Sequence, residues 1–236
     1  SFPTRRSSDL AGLELGSSPI ETIAGGAGPG GEGGPAYTVP TEEGAPRASL
    51  HLTPQGDLLF AEGHRLRALR QDPQGKIGAH CALETVAGQA EPGFSPDGSV
   101  AAEAYLSLAG PQHPGSILAS HKDGLPTFID GDRVRTIDDQ GLLWTLLGGG
   151  SQSEFGFPGQ ETRIGPPRAI GQDAVGQLFV AFEGLPNQGP GLLLGYLNLQ
   201  DSFLLLGGGG DAFLEDGPPL DILLAPPGRA LSLHVT

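Results

Sequence analysis

Thr85-Val86-Ala87-Gly88 is a short strand-like segment that ends on a glycine, and the same pattern returns along the chain. The glycines of successive copies are separated by 63, 60 and 59 positions. The four copies are Thr22-Ile23-Ala24-Gly25, Thr85-Val86-Ala87-Gly88, Thr145-Leu146-Leu147-Gly148 and Leu204-Leu205-Leu206-Gly207. Chance rarely produces three such similar intervals, so the sequence predicts an internal repeat of about sixty residues.

Other features keep a constant order inside each period. A loop rich in glycine and proline follows the glycine-ended strand, and a proline then precedes a new strand. Next comes a turn that closes on a glycine, followed by a strongly apolar strand and, in two periods, by an Arg-x-Arg strand. These prolines, turn glycines and arginine strands are Pro46, Pro114, Pro167 and Pro227; Gly56, Gly124 and Gly176; Arg65-Leu66-Arg67 and Arg133-Val134-Arg135. Each period therefore holds about four short strands divided by turn residues.

Four strands per period indicate the blades of a β-propeller rather than a helical solenoid. No segment of ten or more residues shows a convincing helical period. We predict an all-β fold with blades at about residues 25–87, 88–147 and 148–206 and the opening of another at 207–236. That makes about three full blades with partial blades at both ends. Because propellers close with about four to eight blades, we expect this piece not to close as its parent would.

The first ten residues, SFPTRRSSDL, look like a translated sequencing adapter joined to a gene fragment. We exclude residues 1–10 from fold reasoning as non-native and assign 11–236 to the propeller fragment. The chain contains no methionine. We therefore expect the native N-terminus, and any signal peptide, to be missing.

Composition narrows the classes of function. The formal net charge is −14, which repels the phosphates of nucleic acids, so we expect no nucleic acid partner. No apolar run approaches the roughly 20 residues of a membrane-spanning helix. Cys81 is the single cysteine and cannot form a disulfide within the chain, so we expect a small buried or half-exposed thiol.

The repeated motifs resemble those of NHL repeats, especially the long bacterial form. The resemblance covers about Leu13 to Thr236. It rests on a Gly-Gly-Pro-Ala loop, on a Pro-x-x-Ile-x-x-Asp-x-x-Gly strand and turn, and on an apolar strand that leads through Asp-Gly-Asp into Arg-x-Arg. These segments are residues 33–36, 167–176 and 128–135. The third period departs from the pattern because it lacks Arg-x-Arg. The resemblance implies a propeller that binds partners, in an extracellular or periplasmic bacterial protein.

A column of polar residues lies three positions before each turn glycine, at Thr53, His121 and Asp173, and His234 is the expected fourth member. One interpretation makes each residue the first position of a β-turn, where its side chain bonds the backbone. The other places His121, Asp173 and His234 together at one end of the propeller channel, where they bind a ligand or a metal. We weigh the turn interpretation above the ligand interpretation.

The repeated arginines also have two interpretations. Arg133 and Arg135 could bind a ligand carboxylate, or the arginines could pair with Glu62, Asp130 and Asp132 between blades. We favour the ion pairs, and we keep His121, Asp173, His234, Arg133 and Arg135 as candidate binding residues. We also expect Trp144 to pack in the core, because it stands between Leu143 and Thr145 in an apolar strand.

No catalytic constellation is evident, and no phosphate-binding loop precedes a helix. We therefore predict a non-catalytic binding or scaffold module whose blade loops take a protein, a small molecule or a glycan, without a cofactor and without an assigned metal. The alternative is a propeller hydrolase or lyase, similar to lactonases, with a metal in the central channel. A third interpretation is a purely architectural module of a longer chain.

Overall fold

The computed structural model describes residues 23–25, 31–39, 50–110, 113–114, 117–118, 125–173, 176–185, 191–198 and 200–208. His121, His234 and the predicted non-native segment 1–10 lie outside the described residues. So does all of the predicted fourth blade beyond residue 208.

Twelve strands form three four-stranded antiparallel sheets, in which each strand pairs with the next one along the chain. We call the sheets blades 1, 2 and 3. Blade 1 contains β1 (Leu50–Leu52), β2 (Leu58–Glu62), β3 (Arg65–Leu69) and β4 (Leu83–Ala87). A two-stranded ladder follows, formed by β5 (Ala109–Gly110) and β6 (His113–Pro114). Blade 2 contains β7 (Ile117–Leu118), β8 (Thr127–Asp130), β9 (Arg133–Ile137) and β10 (Leu143–Leu147). Blade 3 contains β11 (Pro167–Gln172), β12 (Leu178–Glu183), β13 (Leu192–Leu197) and β14 (Phe203–Gly208).

The blades stack face to face in chain order. One apolar cluster joins β2 and β3 of blade 1 to Phe128, Ile137 and Leu143 of blade 2. A second joins blade 2 to blade 3 through Ile129 and Val134, among others. The first strands of consecutive blades, β1, β7 and β11, also contact each other in that order. A third apolar cluster packs residues 23–24 and 36–39 against blade 1. Since the two larger clusters lie between neighbouring blades, the fold is an incomplete β-propeller, and the predicted all-β class is confirmed.

The glycine that closes each period has a backbone role. Gly88 has a φ of +89°, and its N–H bonds the Ala101 carbonyl at 3.0 Å, at the start of a 3-10 turn (Ala101–Glu103). Gly148 repeats this geometry, with a φ of +92° and a 3.1 Å bond to the carbonyl of Gly159. A side chain at either position would approach a carbonyl oxygen of the preceding hairpin turn. Glycine therefore recurs because the chain must turn sharply where no Cβ fits.

The strand register of blade 3 corrects the alignment of the fourth glycine-ended segment with the other copies of the repeat. In each blade a β-bulge shifts the pairing between the third and fourth strands. After that shift Ala87 pairs with Leu66, Leu147 with Val134, and Gly207 with Leu194. The structural counterpart of Gly88 and Gly148 is therefore Gly208 rather than Gly207.

Candidate functional site

The polar residues before the turn glycines cap β-turns in both described cases. The Gly56 N–H bonds the Thr53 carbonyl at 2.9 Å, and the Thr53 hydroxyl accepts the Asp57 N–H at 3.0 Å. The Gly176 N–H bonds the Asp173 carbonyl at 3.0 Å, and Asp173 Oδ1 accepts a second N–H. The turn interpretation is thus confirmed for Thr53 and Asp173. Convergence of Asp173 with His121 and His234 stays a prediction, because both histidines lie outside the described residues.

Arg135, the second arginine of the pair in blade 2, links the sheet to its incoming loop through hydrogen bonds. Arg135 is fully buried. Its Nη1 donates to the carbonyl of Ser95 at 2.8 Å and to Asp130 Oδ2 at 3.2 Å, and its Nη2 donates to Asp97 Oδ1 at 2.8 Å. Asp130 also accepts the Ser107 N–H at 2.6 Å, and burial raises the pKa of this carboxyl. These charge-assisted bonds hold the loop arriving from blade 1 against β9 of blade 2.

Blade 1 repeats this arrangement with longer contacts. Arg67 is almost completely buried and lies 3.3 Å from Glu32 and 3.6 Å from Glu62. Glu32 also accepts the N–H of Thr85 on the outer strand, so the loop carboxylate covers part of that strand's open edge. In blade 2 the equivalent carboxylate, Asp97, accepts the hydroxyl of a threonine at the matching position. The predicted arginine–acid pairs are confirmed, although they lie within a blade and its incoming loop rather than between two blades.

Blade 3 replaces this polar network with apolar residues. The strand registers match four positions of blades 1 and 2 with their counterparts in blade 3. These positions are the loop acid, the acid on the second strand, the arginine on the third strand and the threonine on the fourth. In blade 3 these positions hold Phe155, Phe182, Gly195 and Leu205. Phe203 fills the space over Gly195, where an added Cβ would lie 2.4 Å from its ring. Phe203 also packs against Phe155 and Phe182, with ring centroids 5.9 and 5.5 Å apart. The absence of Arg-x-Arg from the third period indicated the change in the sequence. The aromatic residues that replace the acids could be identified only from the strand register.

The first arginine of each pair lies at an open cleft, unlike the second arginine of blade 2. In blade 1 Arg65 lines a cleft of 630 Å³ together with Arg67, Glu32 and Glu84. In blade 2 Arg133 lines a cleft of 380 Å³ together with Phe94, Asp97 and Gln160. The two clefts occupy equivalent positions, since each is bounded by the third and fourth strands and by the glycine that ends the fourth strand. Both clefts are open to solvent rather than enclosed.

Trp144 is not a core residue, which corrects the expectation from its strand. It is 42% exposed, and its Nε1 donates to Asp138 Oδ2 at 2.7 Å. Asp138 Oδ1 meanwhile accepts the N–H groups of Gln140 and Leu142, and hydrogen bonding, chiefly from Leu142, lowers the pKa of this carboxyl. Asn198 makes the same two backbone bonds in blade 3. Aspartate or asparagine at this position thus specifies the turn before the outer strand in blades 2 and 3.

The single cysteine packs inside blade 1. Cys81 is buried; its Sγ accepts the Gly78 N–H at 3.2 Å and lies 3.4 Å from the Lys76 carbonyl. The expectation of a small buried thiol is confirmed. Within the described residues no group of three or more His, Cys, Asp and Glu side chains is placed to hold a metal. Those residues also include no helix with the length and apolarity needed to span a membrane.

Comparison with known proteins yields partial structural likenesses. No family model matches the chain, so NHL membership stays a resemblance, and no curated protein matches it either. Solved structures that align with it include an auxiliary nutrient binding protein from Bacteroides thetaiotaomicron, at 19% identity and a TM-score of 0.41. Another is a protein of unknown function from the same bacterium, at 14% identity and a TM-score of 0.43. A third is virginiamycin B lyase from Staphylococcus aureus, at 13% identity and a TM-score of 0.38.

The alignments cover 57%, 69% and 70% of this chain and 34%, 36% and 43% of those structures, in the same order. The chain therefore spans about a third to two fifths of the length of these proteins. Likenesses at this level assign neither a family nor an activity, and the interpretation of the site rests on the geometry above.

Proposed function

We propose that this chain is a non-catalytic binding module of a larger extracytoplasmic protein, and that its blade clefts take a small-molecule or protein ligand. The observation that carries the proposal is the pair of equivalent clefts at Arg65 and Arg133. Both are built on the same buried framework, yet they are lined by different side chains. A rigid scaffold with variable surface positions is the arrangement that suits recognition.

The framework beneath the clefts explains why they keep their shape. Arg67 and Arg135 are almost completely buried directly beside the two surface arginines, and both pair with carboxylates from the incoming loops. Ion pairs in such places hold a loop in one position even where they add little net stability. The surface residues of each cleft therefore lie on backbone that is held in place by the buried ion pairs.

A fragment screen monitored by amide NMR tests the proposal. We expect binding fragments to shift signals around Gly88 or Gly149, at the mouths of the two clefts. Shifts scattered over the surface would contradict it. Turnover of a chromogenic lactone upon addition of Ca²⁺ or Zn²⁺, with signals moving at Asp173, would instead support the hydrolase alternative.

A further inference from the structure

The guanidinium of Arg133 is held in place by its surroundings. Its Cζ lies 4.2 Å from the centroid of the Phe94 ring, within the range of a cation–π contact. It also packs onto Gly149, where an added Cβ would lie 2.1 Å from Nε. Gly149 has a φ of +75°, so it also supplies a backbone conformation that other residues rarely adopt. The planar group is thus preorganised instead of swinging freely in solvent.

Despite this placement, Arg133 has no short contact with a carboxylate among the described residues. Its nearest carboxylate contact is from Nε to Asp132 Oδ1 at 3.7 Å, which is too long for a hydrogen bond. Among the described residues its buried Nε has no hydrogen-bond partner. Arg135, two positions further along β9, donates three hydrogen bonds. Within the same residues the Nε of Arg135 is likewise buried without a hydrogen-bond partner, so what distinguishes Arg133 is that its carboxylate contact is long, at 3.7 Å.

The one carboxylate that lines this cleft is already engaged. Asp97 accepts a 2.8 Å bond from Arg135 and another from the hydroxyl of Thr145. Asp132 is on the hairpin turn, and its side chain is 67% exposed and well hydrated. The cleft therefore presents a cation, an aromatic ring and the amide side chain of Gln160.

We propose that the blade 2 cleft binds a small monocarboxylate through the guanidinium of Arg133, a proposal that rests on the binding function proposed above. The planar fork of arginine matches the two oxygens of a carboxylate, and a fork that is already oriented loses less entropy on binding. The net charge of −14 disfavours polyanions. The size of the cleft, 380 Å³, likewise suits a small ligand.

The blade 1 cleft provides an internal comparison. Arg65 is equivalent to Arg133, but Gln89 stands where blade 2 has Gly149, and Glu32 and Glu84 both line the cleft. Glu32 contacts Arg67 at 3.3 Å and Glu84 contacts Arg70 at 3.0 Å, but the blade 1 cleft still holds two carboxylates where the described lining of the blade 2 cleft holds one. We therefore expect monocarboxylate binding at Arg133 and not at Arg65.

NMR titration of the arginine Nε–H signals tests the proposal directly. The probes are N-acetylglycine and methyl glucuronoside, which carry a carboxylate on a peptide-like and a sugar scaffold; N-acetylglycinamide and methyl glucoside are their uncharged counterparts. We expect a saturable shift of the Arg133 signal with at least one acid and none with the neutral compounds. The scaffold that binds more tightly identifies the source of the carboxylate.

Substitutions show whether the carboxylate binds at Arg133 or elsewhere on the protein. We expect Arg133→Lys, which keeps the charge but loses the fork, to weaken binding about tenfold, and Arg133→Gln to abolish it. Gly149→Ala should weaken it as well, because the added Cβ displaces the guanidinium. Arg65→Gln is the matched control and should leave the affinity unchanged. Thermal unfolding of each variant shows whether the fold is retained.

Three results would overturn the carboxylate site. They are a shift that stays linear up to tens of millimolar acid, equal shifts with the neutral compounds, or an equal loss of affinity in Arg65→Gln. If the fragment screen still finds ligands at the clefts, the binding function stands and only the carboxylate assignment fails. If the screen also finds none, both proposals fail.

Discussion

At the scale of single residues, two arginines separated by one position have different surroundings. Arg133 reaches an open cleft, whereas Arg135 is fully buried and bonded to Asp97 and Asp130. Both face the same side of β9, because side chains two apart in a strand point the same way. The loop arriving from blade 1 buries Arg135 completely, whereas its Phe94 packs on Arg133 and leaves 23% of that side chain exposed. A binding role for Arg135 would require a ligand to replace these partners. We therefore propose Arg133, and not Arg135, as the binding residue.

The buried arginines give a prediction about stability. We expect Arg135→Ala to lower the free energy of unfolding by about 3–5 kcal/mol, because it leaves the buried Asp130 without its cationic partner. Arg67→Ala should cost less, about 1–3 kcal/mol, because the contacts of Arg67 with Glu32 and with the buried Glu62, 3.3 and 3.6 Å, are longer than the hydrogen bonds of Arg135. Urea unfolding of the two variants measures the difference. An equal loss in both would show that the shorter contacts of Arg135 do not decide the cost.

At the scale of elements, the closing glycines join each outer strand to the next blade. Gly88 and Gly148 combine a positive φ with a close approach to a carbonyl oxygen of the neighbouring hairpin turn. The repeat that is visible in the sequence therefore reflects a backbone requirement at the junction between two blades. Asp138 and Asn198 mark a second repeated element, the turn before the outer strand.

The closing glycine can be tested against a glycine that meets only one of these two requirements. Gly141 has a φ of +76°, but no atom lies within 4 Å of the position that its Cβ would take. We expect Gly141→Ala to cost about 1 kcal/mol through φ alone. Gly88→Ala should cost at least about 2 kcal/mol more, because its Cβ would lie 2.1 Å from the carbonyl oxygen of His64. Denaturant unfolding of both variants checks this, and similar losses would refute the close-approach argument.

At the scale of the whole molecule, the three blades are joined to each other through two separate apolar interfaces. One apolar cluster lies between blades 1 and 2 and another between blades 2 and 3. Phe128 belongs to the first and Phe182 to the second, and both are fully buried. Repeat proteins built in this way derive their stability from each unit and its nearest neighbours.

Hydrogen exchange tests whether the two interfaces are independent. We expect Phe128→Ala, which costs about 3–5 kcal/mol locally, to lower protection in blades 1 and 2 while blade 3 keeps most of its own. Phe182→Ala should lower protection in blades 2 and 3 and spare blade 1. A uniform loss over all three blades in either variant would indicate a single cooperative unit instead.

Much of the architecture could be predicted because its determinants are local in the chain. A positive φ favours glycine, and a turn favours aspartate, asparagine or threonine at its first position, so Gly88 could be interpreted as part of a repeat, and Thr53 and Asp173 as turn residues, without coordinates. The blade count of the described part follows from the same repetition. Trp144 shows the limit of such reasoning, since its apolar strand predicted burial but its face of the sheet is partly open.

The sequence by itself determined the repeat, its four strands and the turns between them, because neighbouring residues specify these features. Only the tertiary structure decided which arginine meets solvent, and that Phe155, Phe182 and Gly195 stand in place of an acid, an acid and an arginine. These outcomes depend on strand register and on loops from the preceding blade, which join residues about forty positions apart. Contacts over that distance arise when an incoming loop packs on its own blade, and no local pattern in the chain encodes them.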